Sequence, residues 1–377
     1  MSATAPARRV LVTGGRGFIG RNLVVALGRR GDVDVTVFDA NDDPAQLDAH
    51  AASADVIYHL AGANRPLTEE EFETVNAGLT GTLLDILKAQ GRRPIVVLSS
   101  STQAEQPNPY GRSKKRAEEL VWAFAESTGA PARIFRLTNV FGKWSRPNYN
   151  SVVSTFCYNI SHDLPIAISD TSRELELVYI DDVVAEFMRV LDEPVEGARF
   201  AAVPTTFRLT LGELAERIGA LRDIRRTLVV PDLSDELTRR LMATYTSYLE
   251  PDGFSYVLER REDPRGVLAE LIKSEQFGQV FISVTHPGFE RGHHYHDRKI
   301  EKFCVIAGEA TISFRHILGG DVVEYRVSGD RWEIVDIPPG YTHAIVNSGA
   351  VPLVTLFWAN EIFDQARADT HPLKVHP

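Results

Sequence analysis

The chain has 377 residues, too long for one average domain, so two or three cores are expected. A net charge of −10 argues against binding nucleic acid through a basic surface, and no apolar run is long enough to span a bilayer. Residues 1–8 carry no apolar h-region, and the two cysteines, Cys157 and Cys304, are far apart, so no secretory signal and a reduced, cytoplasmic setting are expected.

Arg9–Thr13 reads as a short buried strand running into Gly14-Gly15-Arg16-Gly17-Phe18-Ile19-Gly20 and then an amphipathic helix, Phe18–Leu27. A glycine-rich turn between strand and helix lets backbone N–H groups approach a pyrophosphate at the helix's positive end. Gly14, Gly17, Phe18, Ile19 and Gly20 are therefore expected to hold a dinucleotide. The second strand, Val33–Phe38, ends in Asp39, about where a carboxylate would bond the adenine ribose hydroxyls.

Strand and helix then alternate: Val56–Leu60, a helix across Glu69–Lys88, Ile95–Leu98, a helix across Tyr110–Ser127, and Ala132–Leu137. This pattern predicts a Rossmann-like, doubly wound parallel sheet with right-handed crossovers, an α/β fold. Ligands of such sheets sit at the carboxyl ends of the strands, where the glycine turn, Leu60-Ala61-Gly62 and Ser99–Ser101 converge. Tyr110 and Lys114 stand four apart at the start of a helix and share one face. A lysine ammonium near a phenol favours the phenolate, and a neighbouring serine hydroxyl can hold the substrate oxygen that Tyr110 protonates or deprotonates. Tyr-x-x-x-Lys arises by chance on many helices; the cofactor turn upstream is what gives this one meaning.

Asn139–Val152 is polar, aromatic and without regular periodicity. It is expected to touch substrate, with Lys143 or Arg146 meeting phosphate charge and Trp144 or Tyr149 stacking on base or sugar. Leu175–Ile180 reads as a strand, and Asp181-Asp182 as the cap of a helix over Val183–Leu191. Residues 223–265 are charged and broken by Pro231, Pro251 and Pro264, with a helical patch at Glu236–Thr246. The domain boundary is expected near 247, giving 1–247 and 248–377. Beyond it come short alternating strands with Gly, Pro and Asp turns, the texture of an antiparallel jelly roll.

Six of the eleven histidines fall between His286 and His343. His294 and His296 alternate by two and face one side of a strand; Glu301 and His343 complete a three-His, one-carboxylate set suited to Zn²⁺, Mn²⁺, Fe²⁺ or Ni²⁺, with zinc favoured. His293 is expected to point outward, and His286 and His316 have no evident partner.

The TGGRGFIG opening, Asp55, HLAG, SSS and Tyr-x-x-x-Lys resemble the extended short-chain dehydrogenase/reductase family over roughly residues 8–245. That resemblance implies Ser101, with Ser100 or Thr102 as alternatives, Tyr110 and Lys114 as the catalytic set, and Asn76 as a structural or proton-relay asparagine. Gly288-(x)5-His294-x-His296-(x)4-Glu301-(x)6-Gly308 and Pro338-x-Gly340-(x)2-His343 look like the two-part cupin signature over about residues 250–370. The two together resemble the CapF-type bifunctional enzymes of bacterial polysaccharide biosynthesis, through Asn64-Arg65-Pro66, Gly142–Val152, Thr155–Tyr158, Asp263–Gly266 and Val335–His343. The resemblance implies a cupin that epimerises C3 of a UDP-4-keto-6-deoxy-N-acetylhexosamine and a reductase that reduces the C4 ketone, on the way to UDP-N-acetyl-L-fucosamine. Arg65, Asn139 and Arg265 join the expected substrate contacts, and a homodimer is expected. The resemblance also implies NADPH, but Asp39-Ala40-Asn41-Asp42 stands where basic residues would be; carboxylates repel a 2′-phosphate, so NADH should serve at least as well as NADPH. The alternatives are a single-activity ketoreductase with a non-catalytic dimerisation or sensing cupin, a dioxygenase cupin, and a redox-neutral epimerase or dehydratase. Lys302, Tyr295, Tyr341 and a displaced histidine all stand open as the cupin base.

Overall fold

The computed structural model describes residues 7–65 and 68–376; the first six residues, Pro66 (one of the residues carrying the resemblance) and Leu67 lie outside the described residues. Two compact units form. One takes the residues up to Ile218 with Arg240–Leu249, the other Gly219–Arg239 with everything from Glu250 onward. The second unit thus draws in a segment well upstream of 247. The reason is local: Val229 bridges to Lys273, with Val230 N–H donating to Lys273 C=O and Lys273 N–H to Leu228 C=O, both at 2.8 Å.

In the first unit, β1 (Arg8–Thr13), β2 (Val33–Phe38), β3 (Val56–His59), β4 (Ile95–Ser101) and β5 (Ala132–Leu137) form a parallel sheet in the order β2-β1-β3-β4-β5, closed by Ala198–Ala201. Alternate side chains enter two separate cores. Leu11, Ile57, Val96 and Ile134 pack with Leu83, Leu87 and Phe124. Val10, Val56, Val97 and Phe135 pack on the other face with Leu23, Leu27 and Phe187. Burial on both faces is what lets the central strands β1, β3 and β4 be apolar without alternation; β2, at the sheet edge, alternates and buries only Phe38. Truncating a hub such as Phe187, 0% exposed, would cost about 3–5 kcal/mol.

The helix carrying Tyr110 runs Pro109–Thr128, started by Asn108, whose side chain accepts the Gly111 N–H at 2.7 Å, and ended by Gly129 in the left-handed region. The expected helix over Glu69–Lys88 is one helical run with a π turn at Glu73–Gly78, which turns Asn76 inward. A 17-residue helix, Leu211–Thr227, is present that was not among the expected elements. Asp181 and Asp182 sit inside the first turn of Ile180–Asp192 and make ion pairs with Lys143 and Arg240; the N-cap is Tyr179, which makes no side-chain cap bond.

The second unit is two antiparallel sheets, of six and five strands. Phe303, Val305, Ile312, Phe314, Ile345 and Phe357 fill its core. This is the jelly-roll texture expected. Strands Arg260–Asp263 and Gly266–Ser274 extend the six-stranded sheet upstream of the strands anticipated from sequence.

Candidate functional site

The first site lies at the carboxyl ends of β1, β3 and β4, around a cavity of about 590 Å³. β4 ends in three buried serines with different partners. Ser100 donates to the buried Glu118, which also takes a forked pair from Arg136. Ser101 accepts the Gln103 N–H at 3.2 Å, and its side chain acts on the Tyr110 phenol, lowering its pKa. Of the two, Ser101 is the one aimed at the phenol. Lys114 is buried, donates from Nζ to the Ser99 carbonyl at 3.0 Å and stands 6.0 Å from the Tyr110 ring centroid.

Burial pulls the Lys114 ammonium down to about 8, with Glu118 opposing. Burial raises the Tyr110 phenol, and the Ser101 hydrogen bond only partly offsets this. Burial thus works against the phenolate that the spacing suggested and favours a protonated Tyr110, the form a proton donor to a ketone oxygen requires. Gly62 permits the close approach, since a Cβ there would stand 2.8 Å from Asn76 Oδ1 and 3.1 Å from Lys114 Nζ.

The glycine loop passes over the end of β1. A Cβ at Gly20 would come within 2.1 Å of the Gly14 carbonyl, so the cradle exists only for glycine. Gly14, Gly17, Phe18, Ile19, Leu60 and Gly62 line the cavity with Tyr110 and Lys114. Ala61 is not in the lining; its N–H lies 3.4 Å from Thr13 Oγ1. These residues fit a dinucleotide. Asp39 accepts the Arg16 backbone N–H at 2.9 Å, and the Arg16 guanidinium lies across Asp42 at 2.9 and 3.1 Å and 3.8 Å from Asp39.

A buried polar chain ties this corner together; Asn76 is its one member anticipated from the sequence. Thr80 Oγ1 donates to the Asn76 carbonyl at 2.6 Å, so it accepts from His59 Nε2 at 2.9 Å; His59 Nδ1, left as an acceptor, takes the Thr13 hydroxyl at 2.7 Å. Burial, then the Lys114 charge, hold His59 down to about 3, so the ring is neutral. Asn76 bonds Ala63 twice and reaches Ser113 Oγ at 2.9 Å, joining the π turn to the Tyr110 helix.

Asn139, Trp144, Arg146 and Tyr149 line the other wall, with Arg173, which lies outside every sequence motif. Trp144 holds a left-handed backbone, φ +70°, and Arg146 lies over the Tyr149 ring at 5.1 Å. Asn139 spends its amide on the Glu176 carbonyl. Lys143 is outside the lining, its ammonium on Asp181, and exposed Arg65 is outside it too. Arg265 belongs to the second unit, paired with Asp263.

In the second unit, His294 and His343 face each other across paired strands, Glu301 comes from the opposite sheet, and His296 from the turn after Glu290–Tyr295. One ligand atom from each lies within 4.8 Å of the others. The His296 ring donates Nδ1–H to the Asp369 carbonyl, so its Nε2 lone pair faces Glu301 Oε2 at 3.3 Å. His343 Nδ1 leans on the Tyr341 carbonyl at 3.4 Å, and its buried Nε2 has no partner, 3.6 Å from the same oxygen. Lone pairs and a carboxylate packed around one point repel unless a cation stands between them; this donor set fits a divalent metal. Burial lowers His294 to about 4, and the neighbouring histidines add to it, which keeps that ring neutral as a ligand must be. Lys299, not anticipated from sequence, is 12% exposed and holds Glu301 Oε1 at 2.9 Å.

Lys302 pairs with Asp336, on the opposite strand face from Glu301. Tyr295 stacks on His371, and Tyr341 meets His316 edge-on. His293 does not simply point outward: in a left-handed bulge, φ +59°, it pairs with Glu290 and accepts the Val375 N–H. Among the described residues a second group, Asp297, Asp369 and His371, could also gather round an ion, but the Asp369 oxygens are already taken by three backbone N–H groups.

Residues 10–203 match the NAD dependent epimerase/dehydratase family, and residues 261–371 the polysaccharide biosynthesis C-terminal domain. The chain is 45% identical, over 97% of its length and 99% of the relative's, to UDP-2-acetamido-2,6-beta-L-arabino-hexul-4-ose reductase of Pseudomonas aeruginosa. It superposes on the crystal structure of the capsular polysaccharide assembling protein CapF from Staphylococcus aureus with a TM-score of 0.90 and 41% identity, covering 97% of this chain and 100% of that one. A structure of CapF with the inhibitor 3-isopropenyl-tropolone gives a TM-score of 0.85 at 36% identity, over 97% and 100% of the two chains. The chain belongs to the NAD-dependent epimerase/dehydratase family, as a CapF-type member in which a Rossmann-like oxidoreductase unit is joined to a C-terminal cupin.

Proposed function

We propose that this protein is a two-step nucleotide-sugar enzyme: the cupin inverts C3 of a UDP-4-keto-6-deoxy-N-acetylhexosamine, and the Rossmann unit reduces the C4 ketone. The observation that carries the reading is the presence on one chain of a Ser101–Tyr110–Lys114 cavity beside a dinucleotide cradle and of a three-His, one-carboxylate cluster in which His343 Nε2 is buried without a partner. The choice of sugar is supported by the relative's name, a reductase of a UDP-linked acetamido 4-ulose.

In the reductase, a bound nicotinamide supplies hydride to C4. Ser101 Oγ holds the C4 oxygen, Tyr110 Oη delivers its proton to that oxygen, and the Lys114 ammonium offsets the negative charge left on the phenol. Asn139, Trp144, Arg146 and Tyr149 are the proposed nucleotide-sugar contacts; Arg65 and Arg265 are weaker candidates, since neither lies in this lining. Asp39 receives the adenine ribose hydroxyls. Asp42 holds Arg16 with two hydrogen bonds, so the two carboxylates outweigh the one guanidinium and disfavour a 2′-phosphate. NADH is therefore the proposed reductant ahead of NADPH.

In the cupin, His294, His296, Glu301 and His343 would hold the metal, zinc being the first to test; when bound, it supplies a Lewis acid that stabilises charge on an oxygen conjugated with C3. Tropolones are bidentate oxygen chelators, so the inhibitor captured on CapF supports a metal in this family. We place the enzyme in the cytoplasm as a homodimer.

The test is to follow NADH oxidation with the 4-keto sugar nucleotide and identify the product by NMR. One NADH consumed per sugar, with inverted C3 in the product, supports both steps; consumption with C3 retained reduces the protein to a ketoreductase with an accessory cupin.

A further inference from the structure

The four ligand positions lie between residues 294 and 343, yet two of them are held from Asp369, near the end of the described chain. Asp369 is 7% exposed, and every acceptor it owns is in use. Its backbone carbonyl takes the His296 Nδ1–H, which fixes the tautomer with Nε2 bare and turned to the ligand cluster. Its carboxylate takes the N–H groups of the turn that connects His296 to Glu301: Asp297 at 3.0 Å on one oxygen, Arg298 and Lys299 at 2.8 Å each on the other. His371 Nε2 lies 3.3 Å from the first oxygen.

The turn so held sends Lys299 inward, where its ammonium sits 2.9 Å from Glu301 Oε1. Only Glu301 Oε2 is then left facing His296 and His343. Asp369 itself is anchored by the segment behind it. Leu373 N–H donates to the His293 carbonyl at 2.8 Å, Thr342 Oγ1 donates to the Leu373 carbonyl, and Arg315 donates to the carbonyls of Lys374 and Val375.

We propose that Asp369 is a positioning residue for the metal centre, presenting His296 through its carbonyl and Glu301 through the turn and Lys299, and that Lys299 restricts Glu301 to a single ligating oxygen. This rests on the reading of the four residues as a metal site. A carboxylate limited to one oxygen keeps coordination capacity for a substrate oxygen, as catalytic sites require.

The test uses the full chain stripped of metal. Zinc affinity is measured by competition with a chromophoric chelator, and Co²⁺ loading gives a visible spectrum sensitive to coordination number. Asp369→Asn should weaken zinc binding about 10- to 100-fold, the effect usual for groups that orient metal ligands. Thermal unfolding of the metal-free full chain, with every transition of the parent retained in each variant, checks that both units are folded. Lys299→Met touches no backbone amide and should lower the intensity of the Co²⁺ bands as Glu301 becomes bidentate; Lys299→Arg should restore them. Zinc affinities within twofold of the parent for both Asp369→Asn and Lys299→Met, with unchanged Co²⁺ spectra, would overturn the proposal. A parent chain that takes up neither Zn²⁺ nor Co²⁺ would overturn the metal reading itself, and this proposal with it.

Discussion

The two units hold their sites together in opposite ways. In the first, Ser101, Tyr110 and Lys114 come from one strand end and one helix start, and Ser101 Oγ and Lys114 Nζ already have protein partners. In the second, the ligand atoms come from both sheets and a turn, and they face one another with at least one buried nitrogen left bare. A site satisfied by its own protein atoms is built to move a proton; a site of mutually repelling acceptors is built to receive a cation. That difference is what would let one chain carry the two chemistries proposed above, and it is open to direct attack.

The largest expected effect is Tyr110→Phe. Removing the proton donor should lower kcat for NADH oxidation about 10³-fold with KM little changed, while any C3 chemistry of the cupin persists. Stopped-flow absorbance and NMR on the same sample check both halves; loss of C3 chemistry as well would break the division of labour. Next is His294→Ala, which should lower zinc affinity at least about 10²-fold and abolish C3 inversion, yet leave reduction of an already inverted substrate intact. Metal analysis with a reductase assay reads this. Third, kcat/KM should favour NADH over NADPH about tenfold, and Asp42→Ala, which frees Arg16, should narrow the ratio. A strong NADPH preference in the parent would contradict the role given to Asp39 and Asp42.

The smallest effect is in the pH profile. Lys114 is charged below about 8 and neutral above it, because burial has lowered it from its ordinary range. Reduction needs the ammonium, so kcat/KM should be level on the acid side and decline through about pH 8, by at most tenfold per pH unit. A rate that climbs through that range would mean the neutral lysine is the working form.

Much of this was legible in the sequence, for physical reasons that can be named. The parallel sheet showed itself because Arg9–Thr13, Val56–His59 and Ile95–Leu98 are short apolar runs bounded by turn residues, and burial on both faces demands such runs. Tyr110 and Lys114 were visible because helical spacing alone puts them on one face. His294 and His343 were visible because strand alternation and a proline-glycine turn mark their places. What escaped depends on long-range pairing. The π turn that aims Asn76 at Ser113 has no propensity signature, and the state of Tyr110 depends on how deeply it is buried. Lys299 looked like one more charge in a polar turn, and Asp369 lies about 70 residues from the amides it binds. The ion pair of Lys143 with Asp181, and of Lys302 with Asp336, likewise cannot be read from spacing.

The central claim is that the cupin does proton chemistry at C3 independently of the reductase. It is tested most directly by incubating the full chain, zinc-loaded and without nicotinamide, with the UDP-4-keto-6-deoxy-N-acetylhexosamine in D₂O and reading the sugar protons by NMR. Deuterium should enter at C3 in the parent and in Tyr110→Phe, and fail to enter in His294→Ala. No deuterium at C3 in the zinc-loaded parent would contradict the account and leave a ketoreductase with a metal-binding companion.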